Sequence, residues 1–145
     1  MNVFLDSSAL VKRYLAEAGT DAVLDLFNQA STVAASRLTW LEITSVLARR
    51  AKQLPQTDAE EVFRSLDEDF AVLIEIVELK HSVMTEARAI ARRHALRSGD
   101  SIQLASVKEA KTNYGLGLQF VASDRRLLEA ARAEGLSVLD PTESG

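Results

Sequence analysis

Near its amino end the chain reads Val3-Phe4-Leu5-Asp6-Ser7-Ser8-Ala9-Leu10-Val11. A short apolar run ends abruptly in a carboxylate, and two hydroxyl residues then precede apolar residues at helical spacing. This pattern predicts a first buried strand whose C-terminal tip presents Asp6, followed by a helix. Ligands bind at such tips in open α/β sheets, because loops and helix N-termini diverge there and leave a crevice. We therefore expect a ligand site beside Asp6.

Apolar runs alternate with helical patterns along the rest of the chain. Strands are predicted at residues 2–6, 32–35, 72–77, 118–122 and 138–139. Helices are predicted at residues 8–17, from 20 onwards, and at 36–53, 57–70, 81–97, 100–112 and 124–134. Because strands and helices alternate, the connections are crossovers, and a mainly parallel five-stranded sheet flanked by helices is expected. We predict a single α/β domain over residues 1–145, with residues 141–145 as a frayed tail.

Several residues mark where the predicted helices begin and end. Thr20 and Ser36 are candidate N-caps, and Thr57-Asp58-Ala59-Glu60 has the pattern of a capping box. Gly135 is the predicted stop of the last helix. The helix after Ser36 should bury one stripe of apolar residues. The predicted members of this stripe are Leu38, Leu41, Val46 and Leu47.

The composition narrows the class of protein. Of the 145 residues 47% are hydrophobic and 26% are charged, as in an average soluble globular protein. No apolar run approaches the ~20 residues of a membrane span and no signal peptide is expected, so we predict a cytoplasmic protein without membrane association. The absence of cysteine excludes disulfides, cysteine–zinc sites and thiol catalysis. A metal site should therefore use oxygen ligands and hard cations.

Four acidic residues stand where an α/β fold would bring them together. Asp6 and Asp124 each follow a predicted strand, and Asp100 lies in the first turn of a helix. Glu42 is embedded in an apolar context, where a carboxylate without a partner is costly. The ordinary alternatives are helix caps for the two strand-tip acids and a helix-dipole role for Asp100. Glu42 could simply face solvent.

Convergence of these acids would have chemical consequences. Their mutual repulsion would make the metal-free site unfavourable, so the cluster would hold extra protons or bind a cation. Carboxylate oxygens suit Mg²⁺ or Mn²⁺. Such ions position a phosphodiester, lower the pKa of a bound water and stabilise the leaving oxygen, so that no protein nucleophile is required. The acids therefore indicate phosphate-ester hydrolysis.

The order of these pieces resembles the PIN-domain ribonucleases, and within them the VapC-type toxins of toxin–antitoxin pairs. Four segments carry the resemblance, which runs nearly from end to end of the chain. They are residues 3–12 around Asp6, 36–43 around Glu42, 99–105 around Asp100 and 121–128 around Asp124. Gln103 stands where a histidine is frequent in that family, and Ser123 where a threonine is common. Neither departure removes a carboxylate.

The resemblance implies a PIN-like three-layer sandwich and a Mg²⁺- or Mn²⁺-dependent endoribonuclease. It implies that one acidic constellation is both catalytic and metal-binding, with Ser7 and Ser123 as supporting hydroxyls. The members of the constellation would be Asp6, Glu42, Asp100 and Asp124. A homodimer and a neutralising VapB-type antitoxin that lies across the site are implied as well.

Basic residues offer possible contacts to RNA. The net charge of −4 argues against binding through bulk charge but leaves room for a local basic surface. Arginine suits phosphate, although arginines on a helix also form ordinary solvated faces. Arg125 and Arg126, which directly follow Asp124, could instead form ion pairs with the acidic pocket. The candidate phosphate contacts are Arg88, Arg92, Arg93, Arg97, Arg125 and Arg126.

Two other functions stay open on the sequence alone. The same fold could serve as a catalytically inactive binding or regulatory module whose acids bind a basic peptide. A phosphatase of the aspartyl-phosphate type is the other, but it would want a second acid two residues after Asp6. That position is Ser8, which disfavours the phosphatase.

Overall fold

A computed structural model describes residues 1–115 and 117–143, with the side chains of residues 56 and 57 excepted. Its centre is a five-stranded sheet in which every pair of strands is parallel and the order is β3-β2-β1-β4-β5. The strands are β1 Asn2–Leu5, β2 Thr32–Ser36, β3 Glu75–Val77, β4 Gln119–Val121 and β5 Ser137–Leu139. The predicted α/β fold with a parallel central sheet is confirmed.

Helices cover both faces of the sheet, as crossover connections between parallel strands require. They are α1 Ser7–Leu10, α2 Thr20–Gln29, α3 Arg37–Ala51, α4 Gln56–Glu68, α5 His81–His94, α6 Ser98–Tyr114 and α7 Arg125–Ala133. Helices α1–α4 share one hydrophobic core with the sheet, and α5–α7 share the other. The molecule is therefore a three-layer sandwich. Every helix in the described part of the chain falls short of the length and apolar character that crossing a membrane requires.

Strand β1 lies in the middle of the sheet and contributes to both cores. Val3 and Leu5 belong to the core beneath α1–α4, and Phe4 belongs to the opposite core, because side chains alternate along a strand. The backbone N–H of Asp6 donates to the carbonyl of Val121 at 3.0 Å, which extends the pairing to the end of β4. The C-terminal tips of β1 and β4 therefore lie side by side.

The first helix is shorter than predicted. Helix α1 ends at Leu10, and a 3₁₀ turn then covers Val11–Arg13. The prediction of Thr20 as an N-cap is wrong by one residue: Gly19 occupies that position, with a φ of 94° that suits a residue without a side chain. Thr20 is instead the first residue of α2.

Helix α3 begins as predicted but buries a different stripe. The Ser36 hydroxyl accepts the backbone N–H of Leu38 at 3.1 Å and so caps the helix. The prediction of Leu41 as a buried residue is wrong, since it is 60% exposed. Apolar residues occur on more than one face of this helix, so their spacing alone could not select the buried face. The buried residues are Thr39, Ile43 and Leu47.

The third strand is also shorter than the predicted range. Residues Asp69–Leu73 form a π-helical segment, and strand pairing begins only at Glu75. Val72 is 80% exposed, although it lies in the apolar run that suggested a strand. The periodicity of a short apolar run does not distinguish a helix from a strand, and the first two residues of this run belong to the π-helical segment.

Two predictions reach into undescribed residues. Helix α4 begins at Gln56 with Pro55 at its N-cap, so Thr57 lies inside the first turn rather than before it; the Thr57 side chain lies outside the described residues. Of the expected tail at residues 141–145, Pro141 is buried, and residues 144 and 145 lie outside the described part.

Candidate functional site

The neighbouring tips of β1 and β4 each end in an aspartate. Asp6 Oδ1 accepts the backbone N–H of Ala9 at 2.9 Å, and Asp124 Oδ1 accepts that of Leu127 at 3.1 Å. Both acids therefore do cap the helices that follow them, as the ordinary alternative held. Within the described residues these capping bonds end on Oδ1 only. The second oxygen of each carboxylate is left for a ligand.

Asp6 is the most strongly perturbed of the acids. It is 4% exposed, and burial is the main reason that its pKa rises from 3.8 to about 7. Hydrogen bonds from Ser8 and Ala9 to the carboxylate oppose the rise. The negative charges of Asp100 and Glu42 add to it. Without a cation, Asp6 therefore holds a proton until near-neutral pH.

Ser8 ties the two strand tips together. Its hydroxyl donates to Asp6 Oδ1 at 2.7 Å and accepts the backbone N–H of Ser123 at 2.9 Å. The hydroxyl of Ser123 is buried and has no hydrogen-bond partner among the described residues. Sequence reasoning named Ser7 and Ser123 as supporting hydroxyls and missed Ser8. The signal available for it was the Ser-Ser pair directly after the acid.

Glu42 is held on α3 by a group of polar side chains. Its Oε1 accepts the Ser7 hydroxyl at 2.6 Å and the Gln103 amide at 3.0 Å. The same amide donates to the buried hydroxyl of Thr39 at 2.8 Å. Glu42 is therefore half-buried, and its Oε1 is satisfied by two hydrogen bonds. Its predicted need for partners is met by hydrogen-bond donors rather than by a basic side chain.

Asp100 lies half-buried in the first turn of α6. Its burial raises its pKa, and the negative charges of Asp124 and Glu42 raise it further. The positive charges of Arg97 and Arg126 oppose this rise. Two acids and two arginines therefore lie within electrostatic reach of Asp100 at this edge of the sheet.

The structure thus brings the four predicted acids to a common edge, but it does not close them into a ligand set. Within residues 1–115 and 117–143, no group of three or more His, Cys, Asp or Glu side chains is placed so that it could hold a metal ion. The donor chemistry nevertheless fits a hard divalent cation: the set offers carboxylate oxygens, and no sulfur or imidazole stands among them.

The candidate phosphate contacts divide into two groups. Arg93 is engaged away from the acids, in an ion pair with Glu134 at 2.8 Å beyond the C-terminal end of α7. This engagement argues against Arg93 as a phosphate contact. Arg97 and Arg126 are the two whose charges act on Asp100. The remaining candidates are exposed, and they are Arg88, Arg92 and Arg125.

A cavity of about 610 Å³ opens beside Glu42, between α1 and α3. Ser7, Ser8 and Glu42 line it at the acidic end. Glu17 lines it as well, and so do Arg49 and Arg50 in the last turn of α3. The apolar residues of the lining include Val11, Leu15, Leu41 and Val46. The site is therefore continuous with a groove of mixed character.

The parallel sheet, its strand order and the acids at its C-terminal edge define a known class of protein. The family model described as PIN domain matches residues 3–133, which is most of the chain. The chain therefore belongs to the PIN domain family.

Within that family the similarity extends to the VapC group, which confirms the resemblance seen in the sequence. Ribonuclease VapC45 and Ribonuclease VapC49, from two strains of Mycobacterium tuberculosis, are each 35% identical to this chain over 144 residues, covering 96% of it and 98% of theirs. A toxin–antitoxin complex from Klebsiella pneumoniae has the same fold, with a TM-score of 0.68 at 16% identity, covering 99% of this chain and 100% of that chain.

Proposed function

We propose that this chain is a Mg²⁺- or Mn²⁺-dependent endoribonuclease, which hydrolyses RNA phosphodiester bonds as the toxin of a type II toxin–antitoxin system. The observation that carries the proposal is the set of acids at one sheet edge, where like charges repel: Asp100 and Glu42 add to the raised pKa of the buried Asp6, and Asp124 and Glu42 add to that of the half-buried Asp100. A divalent cation is the ligand that relieves such repulsion. Membership of the PIN family and the two ribonuclease relatives support the same activity.

The four acids have distinct proposed roles. Asp6, Asp100 and Asp124 would hold the cation, and Glu42 would hold it or orient the attacking water. Asp6 and Asp124 would contribute Oδ2, because Oδ1 of each already caps a helix. The chemistry that a bound cation would supply there is a lowered pKa for a water and stabilisation of the leaving oxygen.

Hydroxyls and arginines would complete the site. Ser7 fixes one oxygen of Glu42, and the buried hydroxyl of Ser123, which lacks a partner among the described residues, would be the second supporting hydroxyl. Arg97 and Arg126 are the best placed to contact RNA phosphates, because their charges already act at Asp100. The exposed arginines would extend this contact along the backbone of the RNA.

The proposed partners are RNA, a VapB-type antitoxin and a second copy of the chain, all in the cytoplasm. The cavity beside Glu42 is lined by both apolar and charged side chains, which suits an amphipathic antitoxin peptide lying across the site. Exposed apolar side chains offer a surface for a homodimer. They include Val72, Leu73, Leu79 and Met84.

Incubation of purified protein with total RNA, followed by mapping of the cut ends, tests the activity. Cleavage should require Mg²⁺ or Mn²⁺ and should stop in excess EDTA. Asp6→Asn and Asp100→Asn should each lower the rate by at least about 100-fold, the upper range for residues that support a metal. Asp21→Asn, which changes an exposed acid in the first turn of α2, is the matched control and should cleave at the wild-type rate. Full cleavage by Asp6→Asn or in EDTA contradicts the proposal.

The second candidate function is a catalytically inactive PIN-fold binding or regulatory module. One observation favours it, namely that the described side chains do not stand in a closed metal-binding arrangement. Titration with Mg²⁺ separates the two candidates. A cation that binds only the folded state stabilises it by about 2.7 kcal/mol at 100 times its dissociation constant, and so raises Tm. An unchanged Tm, together with intact RNA, would establish the module instead.

A further inference from the structure

Gln103 lies beneath the acidic edge and connects three helices. It stands three residues after Asp100 on α6, which places both side chains on one face of the helix, and it is 2% exposed. Its amide nitrogen reaches one oxygen on α1 and two on α3. These are Ser7 Oγ at 3.1 Å, Thr39 Oγ1 at 2.8 Å and Glu42 Oε1 at 3.0 Å.

These contacts fix the direction in which Glu42 presents its carboxylate. Oε1 receives hydrogen bonds from both Ser7 and Gln103. The other oxygen, Oε2, lies close to the start of α6: a Cβ built on Gly99 would stand 3.3 Å from it. One oxygen of Glu42 is therefore anchored from below, and the free oxygen is turned toward the helix that carries Asp100.

The amide of Gln103 is oriented at the expense of its own carbonyl. Oε1 of Gln103 is buried and has no hydrogen-bond donor among the described residues, which is a costly arrangement. An apolar side chain of the same length would fill the space without that cost. Reversal of the amide would bring its carbonyl to about the present 3.0 Å separation from Glu42 Oε1, so that two acceptors would face each other. Contact with Glu42 therefore decides the orientation.

We propose that Gln103 is a positioning residue, whose amide N–H groups, together with Ser7, hold Glu42 Oε1 so that Oε2 is presented to the cation and the attacking water. This inference rests on the proposed metal-dependent nuclease activity. Gln103 touches neither substrate nor cation; it acts through Glu42. Loss of a hydrogen bond that orients a metal-supporting carboxylate typically lowers metal affinity or activity by about 10–100-fold.

The test compares Gln103→Met with a matched variant of the same helix. Methionine keeps the length and flexibility of glutamine but removes both the donors and the orphaned carbonyl. Ser106→Ala is the control: Ser106 is fully buried on α6, and its hydroxyl also lacks a partner in the described residues. We expect Gln103→Met to fold, to bind Mn²⁺ about 10-fold or more weakly by electron paramagnetic resonance, and to lose kcat with little change in KM for RNA. Ser106→Ala should match the wild type in all three measurements.

Combination with a Glu42 variant shows whether Gln103 acts through that residue. If it does, Gln103→Met should change Mn²⁺ affinity by less than about twofold in a Glu42→Gln background, because contacting residues are not additive. An equal loss in both backgrounds overturns the inference, as does wild-type Mn²⁺ affinity and kcat in the single variant. If Gln103→Met does not fold, Gln103→Leu replaces it in the same cycle. Absence of metal-dependent cleavage by the wild type would instead count against the proposed function, and Mn²⁺ binding would still be measured in all variants.

Discussion

Replacement of Asp6 by asparagine should make the metal-free protein more stable at neutral and alkaline pH. The Asp6 carboxyl is 4% exposed, and burial raises its pKa from 3.8 to about 7. This rise of about three pKa units corresponds to roughly 4 kcal/mol, at 1.36 kcal/mol for each unit. Asparagine keeps the shape of the side chain and the acceptor that caps α1, but it carries no charge to desolvate.

The sign of the effect follows from proton binding. Between pH 3.8 and about 7 the folded protein holds a proton on Asp6 that the unfolded chain releases, so wild-type stability falls as the pH rises through this interval. The loss is complete above about pH 7. The free energy of unfolding of Asp6→Asn, measured relative to the wild type by urea denaturation in EDTA, should therefore increase by roughly 4 kcal/mol between pH 4 and pH 8.

A control of opposite sign comes from Glu134. Hydrogen bonds from Arg93, together with His94 and Lys108, lower the Glu134 pKa from 4.5 to about 2. The stabilisation from this carboxylate is present above pH 4.5 and disappears as the pH falls toward 2, so Glu134→Gln should be less stable than the wild type at pH 7 and approach it in acid.

If the difference in the free energy of unfolding between Asp6→Asn and the wild type is the same at pH 4 and pH 8, the desolvation argument is refuted.

Three further substitutions test other features of the fold. Asp69→Asn removes the charged partner of Arg13, whose guanidinium lies 2.8 Å from the Asp69 carboxylate. The free energy of unfolding in urea should fall by about 3 kcal/mol. A fall of less than about 1 kcal/mol would show that solvent screens the ion pair. Ala95 has a φ of 53° at the end of α5, a backbone conformation that glycine adopts without strain. Ala95→Gly should therefore raise the free energy of unfolding in thermal denaturation by about 1 kcal/mol. A lower free energy of unfolding would show that the backbone is not strained there. Gly99→Ala places a Cβ 3.3 Å from Glu42 Oε2. Because small misplacements of reacting groups are costly, this substitution should lower kcat by about 10-fold without loss of helix content. An unchanged kcat would contradict this expectation.

The fold and the location of the acids could be predicted because both depend on local patterns. Alternation of strands and helices requires crossovers, and crossovers require a parallel sheet whose strand tips share one edge. Asp6 and Asp124 follow neighbouring strands, so their proximity follows once β1 and β4 pair. Ser36 was identified as a helix cap because a hydroxyl directly before a helix has a local role.

The connections among the site residues could not be predicted, because they join distant parts of the chain. Ser8 meets the backbone of Ser123 across 115 positions, and Gln103 meets Ser7 across 96. No periodicity encodes such contacts. The buried face of α3 was misjudged for a related reason: Leu41 looks like a core residue in its own helix, but its neighbours in space decide its exposure.

The central position of β1 has a consequence for the order in which the molecule can be built. The strand is synthesised before the other four strands of the sheet, yet one of its two neighbours is β4, whose residues Gln119–Val121 are made only after β2 and β3. The entropy of closing such a long loop must be lost before pairing of β1 with β4 can stabilise the chain, so this pairing forms late. A nascent chain that stops short of β4 carries Asp6 without the neighbouring tip. Assembly of the acidic edge therefore waits until β4 has been synthesised.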